Sequence, residues 1–413
     1  VSFNNFNLNP RLNAGIQHAG YDIPTPIQLQ AIPPAMAGQD IIGTAQTGTG
    51  KTAAFVLPML HRLLADDSKR KVRALIITPT RELADQIHQM IQTLGRGTGQ
   101  YSTTVYGGVS EQNQIKALKR GVEIVVACPG RLLDLINQGK VQLGNVELLV
   151  LDEADRMLDM GFLPDIKRIL KHLPNQRQSL MFSATFSREI EQLARTYLKN
   201  PVRVAIGISR PAKTVMHKLY PVSQHLKREL LVHLLKKTKT DSVLIFTRTK
   251  HRAKRLAQQL HRDGYNVTSL HGNRSQSQRT SAITGFKGGD FEIMVATDIA
   301  ARGLDIEHIS HVINFDMPDT EDAYIHRIGR TGRAAREGEA FTFVTNEDDK
   351  MVRRLEKVMN QKLERAYLND FDYDQPAPPR EPRQPRADMG RKPQGQTRNG
   401  HRQKSRDRHK ARN

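Results

Sequence analysis

Tryptophan is absent from this 413-residue chain, cysteine occurs once, and aromatic residues make up only 5% of it. One thiol, Cys128, rules out a disulfide framework and fits a reducing compartment. It follows the apolar run "VEIVVAC", so it reads as a packed thiol rather than a nucleophile. No apolar stretch is long enough to span a bilayer, and no basic-then-apolar leader opens the sequence, so the expectation is a soluble, cytoplasmic protein with no membrane partner. The fifteen histidines show no zinc-like grouping with cysteine and no HExxH, so no structural metal is expected. Scarce aromatics also mean few platforms for stacking bases.

Acidic charge is the other shortage. The formal net charge is +21, and residues 376–413 hold nine Arg and three Lys against three acids. That stretch has no aromatic residue and too little apolar surface to fold, so it reads as a disordered basic tail that releases counterions from a polyanion, nucleic acid above all. Upstream, apolar strand-like runs alternate with helical stretches twice. The first set is "ALIITPT", "STTVYGG", "VEIVVACPG", "LLVLDEAD" and "SLMFSAT"; the second is "SVLIFTRT", "NVTSLHG", "EIMVATD", "HVINFD" and "EAFTFV". Such alternation argues two doubly wound α/β domains with parallel sheets. Between them "GISRPAKTVMHKLYPVSQ" lacks a period and reads as a linker.

Only the first half carries a phosphate loop, "AQTGTGKT" at 45–52, with Ala45 where the pattern G-x-x-x-x-G-K-[ST] has glycine. "QDIIGTA" before it reads as a strand and "TAAFVLPMLHRLL" after it as a helix, whose N-terminus favours phosphate. Gly48 and Gly50 can take positive φ, Lys51 can meet the β/γ-phosphates, and the Thr52 hydroxyl can hold Mg²⁺. The run ending in Asp152 and Glu153 supplies carboxylates at a strand's C-terminal end. Alone they could equally be an acidic first turn of a helix; beside the loop, Asp152 reads as a Mg²⁺ holder and Glu153 as the base for attacking water. In the second half "HRIGRTGR" sets Arg327, Arg330 and Arg333 at three-residue spacing, either a solvated basic face or arginine fingers reaching a γ-phosphate.

Taken together, these motifs resemble the DEAD-box RNA helicases over roughly residues 3–345. "DEAD" stands at 152–155, "SAT" at 183–185, "PTREL" at 79–83, a Gly doublet at 107–108, "ATD" at 296–298, "RGLD" at 302–305, and "GYDIPTPIQ" ends at Gln28. "SFNNFNLNP", "DEADRMLDMGF" and "LIFTRTKH" look most like the bacterial RhlE-type subgroup. The resemblance implies two tandem RecA-like domains: an adenine-recognition segment 1–30, an ATP-binding domain 31–204, a linker 205–224, a second domain 225–371 and the tail 372–413. It implies an RNA-stimulated ATPase that locally unwinds short duplexes or remodels RNA–protein complexes, using ATP and Mg²⁺.

Residue by residue, the resemblance gives Gln28 the adenine edge, with Phe3 and Tyr21 packing the ring. It gives Thr47, Gly48, Thr49, Gly50, Lys51 and Thr52 the phosphates, with Thr52 and Asp152 on the metal. Asp305 falls on the ribose, Arg330 and Arg333 at the γ-phosphate, and Ser183 and Thr185 at the coupling of hydrolysis to strand separation. The RNA path takes Pro79, Thr80, Arg81, Gly108, Gly130 and Arg131 from the first domain. From the second it takes Arg248, Thr297, Asp298 and Arg302. "CPGR" departs from the pattern, with Cys128 where the family usually has Thr; a thiol is a poorer donor than a hydroxyl. RNA is the expected partner, with ribosomal precursors or RNA-decay machinery both open. The charge pattern alone does not separate RNA from DNA.

Overall fold

Each strand-like run ends in a motif, and the fold explains why. In the computed structural model the first half supplies β1 (Ile41–Thr44), β2 (Ala74–Ile77), β3 (Ser102–Val105), β4 (Ile124–Ala127), β5 (Leu148–Leu151), β6 (Gln178–Ser183) and β7 (Val202–Ala205). They form one parallel sheet in the order β3-β4-β2-β5-β6-β1-β7. The second half supplies β8 (Val215–Pro221), β9 (Val243–Phe246), β10 (Val267–Leu270), β11 (Ile293–Ala296), β12 (His311–Asn314), β13 (Gly338–Val344) and β14 (Glu364–Arg365), again all parallel, in the order β10-β11-β9-β12-β13-β8-β14. The structure describes residues 2–45, 48–66, 71–206, 215–238, 241–301, 309–332 and 338–377. Both sheets belong to one compact unit, Val1–Tyr373. The predicted basic tail lies outside the described residues apart from its first few positions, as do Thr47, Arg302, Asp305 and Arg333.

Central strands such as β2, β4 and β5 are buried along their whole length, which is why they read as unbroken apolar runs. Helices cover both faces of the first sheet and divide its core into two clusters. One contains Ile41, Ile76 and Phe182 with the helix Lys51–Leu63; the other contains Ile42, Leu75 and Val125 with the helix Pro129–Asn137. Because every strand is parallel, all C-terminal ends share one edge of the sheet. Ligands bind at that edge in such folds.

The stretch read as a linker, 205–224, differs from expectation. It contains β8, which pairs with β13 over seven residues and takes β14 on its other side. Its "VMHKLYP" alternates weakly and ends in proline, so the strand is set by pairing rather than by its own pattern. The second domain also runs past 371: Leu368, Phe371 and Tyr373 pack on its core, and Asp370 pairs with Lys237 and with His233.

Candidate nucleotide and RNA sites

The first sheet divides its edge between two kinds of chemistry. Neighbouring strands β5, β6 and β1 end at Asp152, Ser183 and the phosphate loop, while β3, β4 and β2 end at the Gly doublet, Cys128 and Pro79.

On the phosphate side, Ala45 is buried and donates its N–H to the Ser183 carbonyl at 3.2 Å. Its own carbonyl accepts the Lys51 ammonium at 2.8 Å, so the loop is closed on itself by the lysine that phosphate would recruit. Alanine is therefore accommodated where the pattern has glycine. Gly50 cannot be replaced so easily: its φ is 91°, and a Cβ would lie 2.6 Å from Gln28 Nε2. Gln28 is buried and spans two segments, accepting the Thr25 N–H at 2.8 Å and donating to the Gly50 carbonyl at 3.1 Å. Among the described residues these bonds leave the amide one N–H and one lone pair, the complement that an adenine edge needs. Phe3 is buried rather than presented at the surface; it stacks on half-buried Tyr21 with ring centroids 5.6 Å apart, so it backs that ring.

Glu153 adopts a left-handed conformation (φ 54°) at the start of the helix Ala154–Asp159. The turn lets Asp152 accept the Glu153 N–H at 3.0 Å and leaves the Glu153 carboxylate held by Arg156 at 2.7 Å, both side chains buried. Burial raises the Asp152 carboxyl well above its usual range, with the nearby Lys51 ammonium the chief counterweight. A buried carboxylate short of positive charge fits a divalent cation, and Thr52 follows Lys51 in the first turn of its helix.

Sequence reasoning put Ser183 and Thr185 at the coupling point but missed the residue that joins them. Asp155 Oδ2 accepts the N–H groups of Ala184 and Thr185 at 3.1 and 3.0 Å and the Thr185 hydroxyl at 3.2 Å. Its own N–H donates to Ser183 Oγ at 3.1 Å. One carboxylate of "DEAD" thus fastens "SAT" to the turn that carries Asp152 and Glu153.

From the second sheet, the helix Glu321–Ile328 brings His326 against the same turn. Burial pushes its imidazole down to about 4, with Arg156 adding repulsion and Asp155 opposing. His326 was not singled out from sequence, although it opens the "HRIGRTGR" stretch. Arg330 is buried and lines a seam with Arg156 and His326. Arg327 lines the same seam, but its guanidinium is committed within its own domain. It clamps Asp298 with two bonds of 2.6 Å, donates to Asn314 and the Asp316 carbonyl, and lies over the Phe246 ring at 5.0 Å. Arg327 is thus neither part of a solvated basic face nor a free finger, because its bonds are spent inside its own domain. Asp298, expected on the RNA path, commits both carboxylate oxygens to that clamp.

A cleft of about 360 Å³ opens between the two sheets. Pro79, Thr80, Arg81, Gly130 and Arg131 line it from the first domain, as does Cys128. Gly108 supports it indirectly: its φ is 80°, and a Cβ would overlap Arg81 at 2.1 Å, so the glycine gives the guanidinium room. Burial pushes the Cys128 thiol up to about 12, and the side chain caps no backbone N–H of the helix Pro129–Asn137 that it precedes. The second domain meets the cleft through Gly272, Arg274, Arg279, Ile299 and Ala300, none of them chosen from sequence. Arg248 instead donates to the Met317 carbonyl and pairs with Asp319, and Thr297 is buried. The signal that could have found Gly272, Arg274 and Arg279 was "LHGNRSQSQR", a glycine followed by a basic turn just after β10.

Among the described residues no helix is long and apolar enough to cross a membrane, and no cluster of His, Cys, Asp and Glu has a metal-binding arrangement. The family model for DEAD/DEAH box helicases matches residues 25–193, and that for the helicase conserved C-terminal domain matches residues 226–335. The chain is 40% identical to the DEAD-box ATP-dependent RNA helicase CshA of Bacillus subtilis over 88% of this chain and 74% of that protein. It is 44% identical to the ATP-dependent rRNA helicase RRP3 of Candida glabrata over the same shares. The solved structure of S. cerevisiae Dbp5 bound to RNA and ADP BeF3 superposes with a TM-score of 0.80 at 31% identity, covering 88% of this chain and 95% of that one. A DEAD box protein from Methanococcus jannaschii gives 0.51 at 36% identity, over 89% and 99%. With two parallel-sheet domains, a phosphate loop facing a buried acid pair and a basic cleft between the sheets, the chain belongs to the DEAD-box ATP-dependent RNA helicases, RNA-stimulated ATPases of two RecA-like domains.

Proposed function

We propose that ATP binds on the first domain beside the β5, β6 and β1 ends and that RNA crosses the cleft beside β2 and β4, each ligand favouring the closed pair of domains. The observation that carries this reading is the Asp155 hub, which links the catalytic turn to "SAT" while His326 and Arg330 approach from the second domain.

In this reading Gln28 and Tyr21, backed by Phe3, hold adenine. Lys51 leaves the Ala45 carbonyl for the β/γ-phosphates, alongside Thr47, Gly48, Thr49 and Gly50. Thr52 and Asp152 hold Mg²⁺, which would neutralise phosphate charge when bound. Glu153, oriented by Arg156, takes a proton from the water that attacks the γ-phosphorus, and ADP and phosphate leave. Arg330 and Arg333 meet the charge that develops on the phosphoryl oxygens, and Asp305 holds the ribose. His326 carries no proton at neutral pH, so it adds no cation beside Arg156 and Arg330. Pro79, Thr80, Arg81, Gly108, Gly130, Arg131, Arg248, Thr297, Asp298 and Arg302 form the RNA tract directly or by support.

Recognition through phosphate and sugar would be largely independent of sequence and would suit single strands and short duplexes, unwound locally. The relative named as an rRNA helicase supports ribosomal precursors as substrates, and a cytoplasmic location suits that role. The test compares ATP turnover with matched RNA and DNA oligonucleotides. Strong stimulation by RNA alone is expected; equal stimulation by both would overturn the RNA reading.

A further inference from the structure

A second groove, of about 530 Å³, lies beside the first cleft on the second domain. Its floor is β10, the end strand of the sheet, and its walls come from the helices Lys250–Arg262 and Gln276–Gly288. Lys254, His261 and Arg274 line it, and among its described lining residues there is no Asp or Glu. Arg274 lines the cleft as well, so the two depressions meet at the turn 272–274.

At the base of this groove His271 is only 3% exposed. Its Nδ1 accepts the Asn273 N–H at 3.3 Å, which assigns the ring proton to Nε2. That Nε2 is buried and has no hydrogen-bond partner. Burial lowers the basicity of the ring, and Arg274, Lys254, Arg279 and His251 lower it further by repulsion. The ring is therefore a neutral donor without an acceptor, and an unmet buried donor is costly. A groove with surplus cations and an orphan N–H calls for an anionic, acceptor-rich ligand.

We propose that this groove carries the RNA strand onward after it leaves the cleft, with Lys254, His261 and Arg274 on backbone phosphates and His271 Nε2–H donating to a phosphate or 2′-hydroxyl oxygen. The proposal rests on the reading that the cleft itself holds RNA. Continuity through Arg274 favours the same strand over a separate molecule, because this residue lines both depressions while its guanidinium donates to Ser269 Oγ at 3.0 Å on the groove side. The contribution is independent of base identity, since each group offered meets backbone rather than base edges.

The test uses the full chain with a non-hydrolysable ATP analogue. The reference is the shortest oligonucleotide that gives full ATPase stimulation, compared with versions extended by a few nucleotides at one end or the other. Extension at one end should tighten binding roughly fivefold, as expected for one exposed charge pair and one hydrogen bond. Lys254 and His261 are exposed, so K254Q/H261Q should fold normally, bind the short oligonucleotide like wild type and lose that gain. The salt slope of the long complex should also flatten by about 0.7, for the one phosphate left without the Lys254 ammonium. His271→Phe removes the donor and should lose part of the same gain; in wild type, the His271 Nε2 proton should exchange more slowly with water once the long RNA binds. A gain that survives K254Q/H261Q unchanged, or no gain from either extension in wild type, overturns the proposal and leaves the groove to an acidic protein segment. If instead no RNA oligonucleotide of any length bound or stimulated wild type, the cleft reading would fail, so the two failures are distinct.

Discussion

Arg279 Nε lies 2.6 Å from Glu82 Oε1, an ion pair between the two domains with both side chains nearly buried. Arg279 also donates to the Ala300 carbonyl, and beside it Arg81 donates to Gln276 at 3.4 Å. The pair closes the RNA side of the molecule, whereas the His326 seam closes the nucleotide side. Removing one partner of a buried pair strands the other charge, at a cost of about 3 kcal/mol or more.

Arg279→Ala is therefore expected to reduce RNA-stimulated ATP turnover by at least about tenfold while leaving the low unstimulated rate unchanged. Restoring the pair in reverse, with Glu82→Arg and Arg279→Glu together, should recover part of the loss. Steady-state turnover with and without RNA in wild type, the two charge-reversed single variants and the double variant measures the coupling. An Arg279→Ala protein that RNA stimulates normally would remove the pair from the closing mechanism.

Gln28→Ala has two effects to separate, because the amide both holds the Gly50 carbonyl and retains one N–H and one lone pair. Loss of the loop bond should weaken every nucleoside triphosphate by about tenfold. ATP should lose more than an analogue without the adenine amino group, as titration of both onto wild type and variant would reveal. Equal losses would confine Gln28 to shaping the loop.

Asp155→Asn keeps the shape of the hub but gives its amide end one less acceptor for the Ala184, Thr185 and Thr185 hydroxyl donors. ATP and RNA should each still bind, whereas duplex unwinding should fall much further than ATP turnover. Unwinding and hydrolysis measured on the same samples decide it. Parallel losses would mean that the hub serves catalysis alone and does not transmit it.

Acid stability should depend on His217 in β8, which stacks beside Tyr324. Burial pushes its imidazole down to about 4 from an ordinary 6.5. The unfolded chain then binds the proton more tightly, so the contribution is intact above about 6.5 and is lost as pH falls toward 4. A full loss is worth up to about 3 kcal/mol. Denaturant midpoints for wild type and His217→Gln at pH 7 and pH 5 should converge on acidification; a constant gap between them would contradict the assignment.

How far the sequence could be read follows from how each element is specified. β2, β4, β5, β9 and β11 are buried on both faces, so composition alone marks them. β7, β8 and β14 escaped notice because they are short, mixed or edge strands whose pairing is decided by neighbours distant in the chain. Local motifs placed Lys51, Asp152, Glu153, Ser183 and Arg81 at the sheet edge, because each ends a parallel strand or lies in the turn or helix start that follows one. What local pattern cannot supply is partner choice: Arg327 and Arg330 share a motif and a seam, yet it is Arg327 that clamps Asp298. Nor does a motif announce Arg156 on Glu153, His326 beside Asp155, or Gly272 and Arg274 in the cleft, since each is defined by packing between segments.

The most direct test of the account is Glu153→Gln, measured on one preparation for RNA-stimulated ATP turnover, ATP affinity and RNA affinity. Glu153 lies in the left-handed turn, held by Arg156 at 2.7 Å, and a glutamine preserves its size while removing the base. Turnover should fall by about 10²–10⁴-fold with both affinities nearly unchanged. Near-normal turnover would contradict the assignment of the base and, with it, the proposed division of the sheet edge between hydrolysis and RNA.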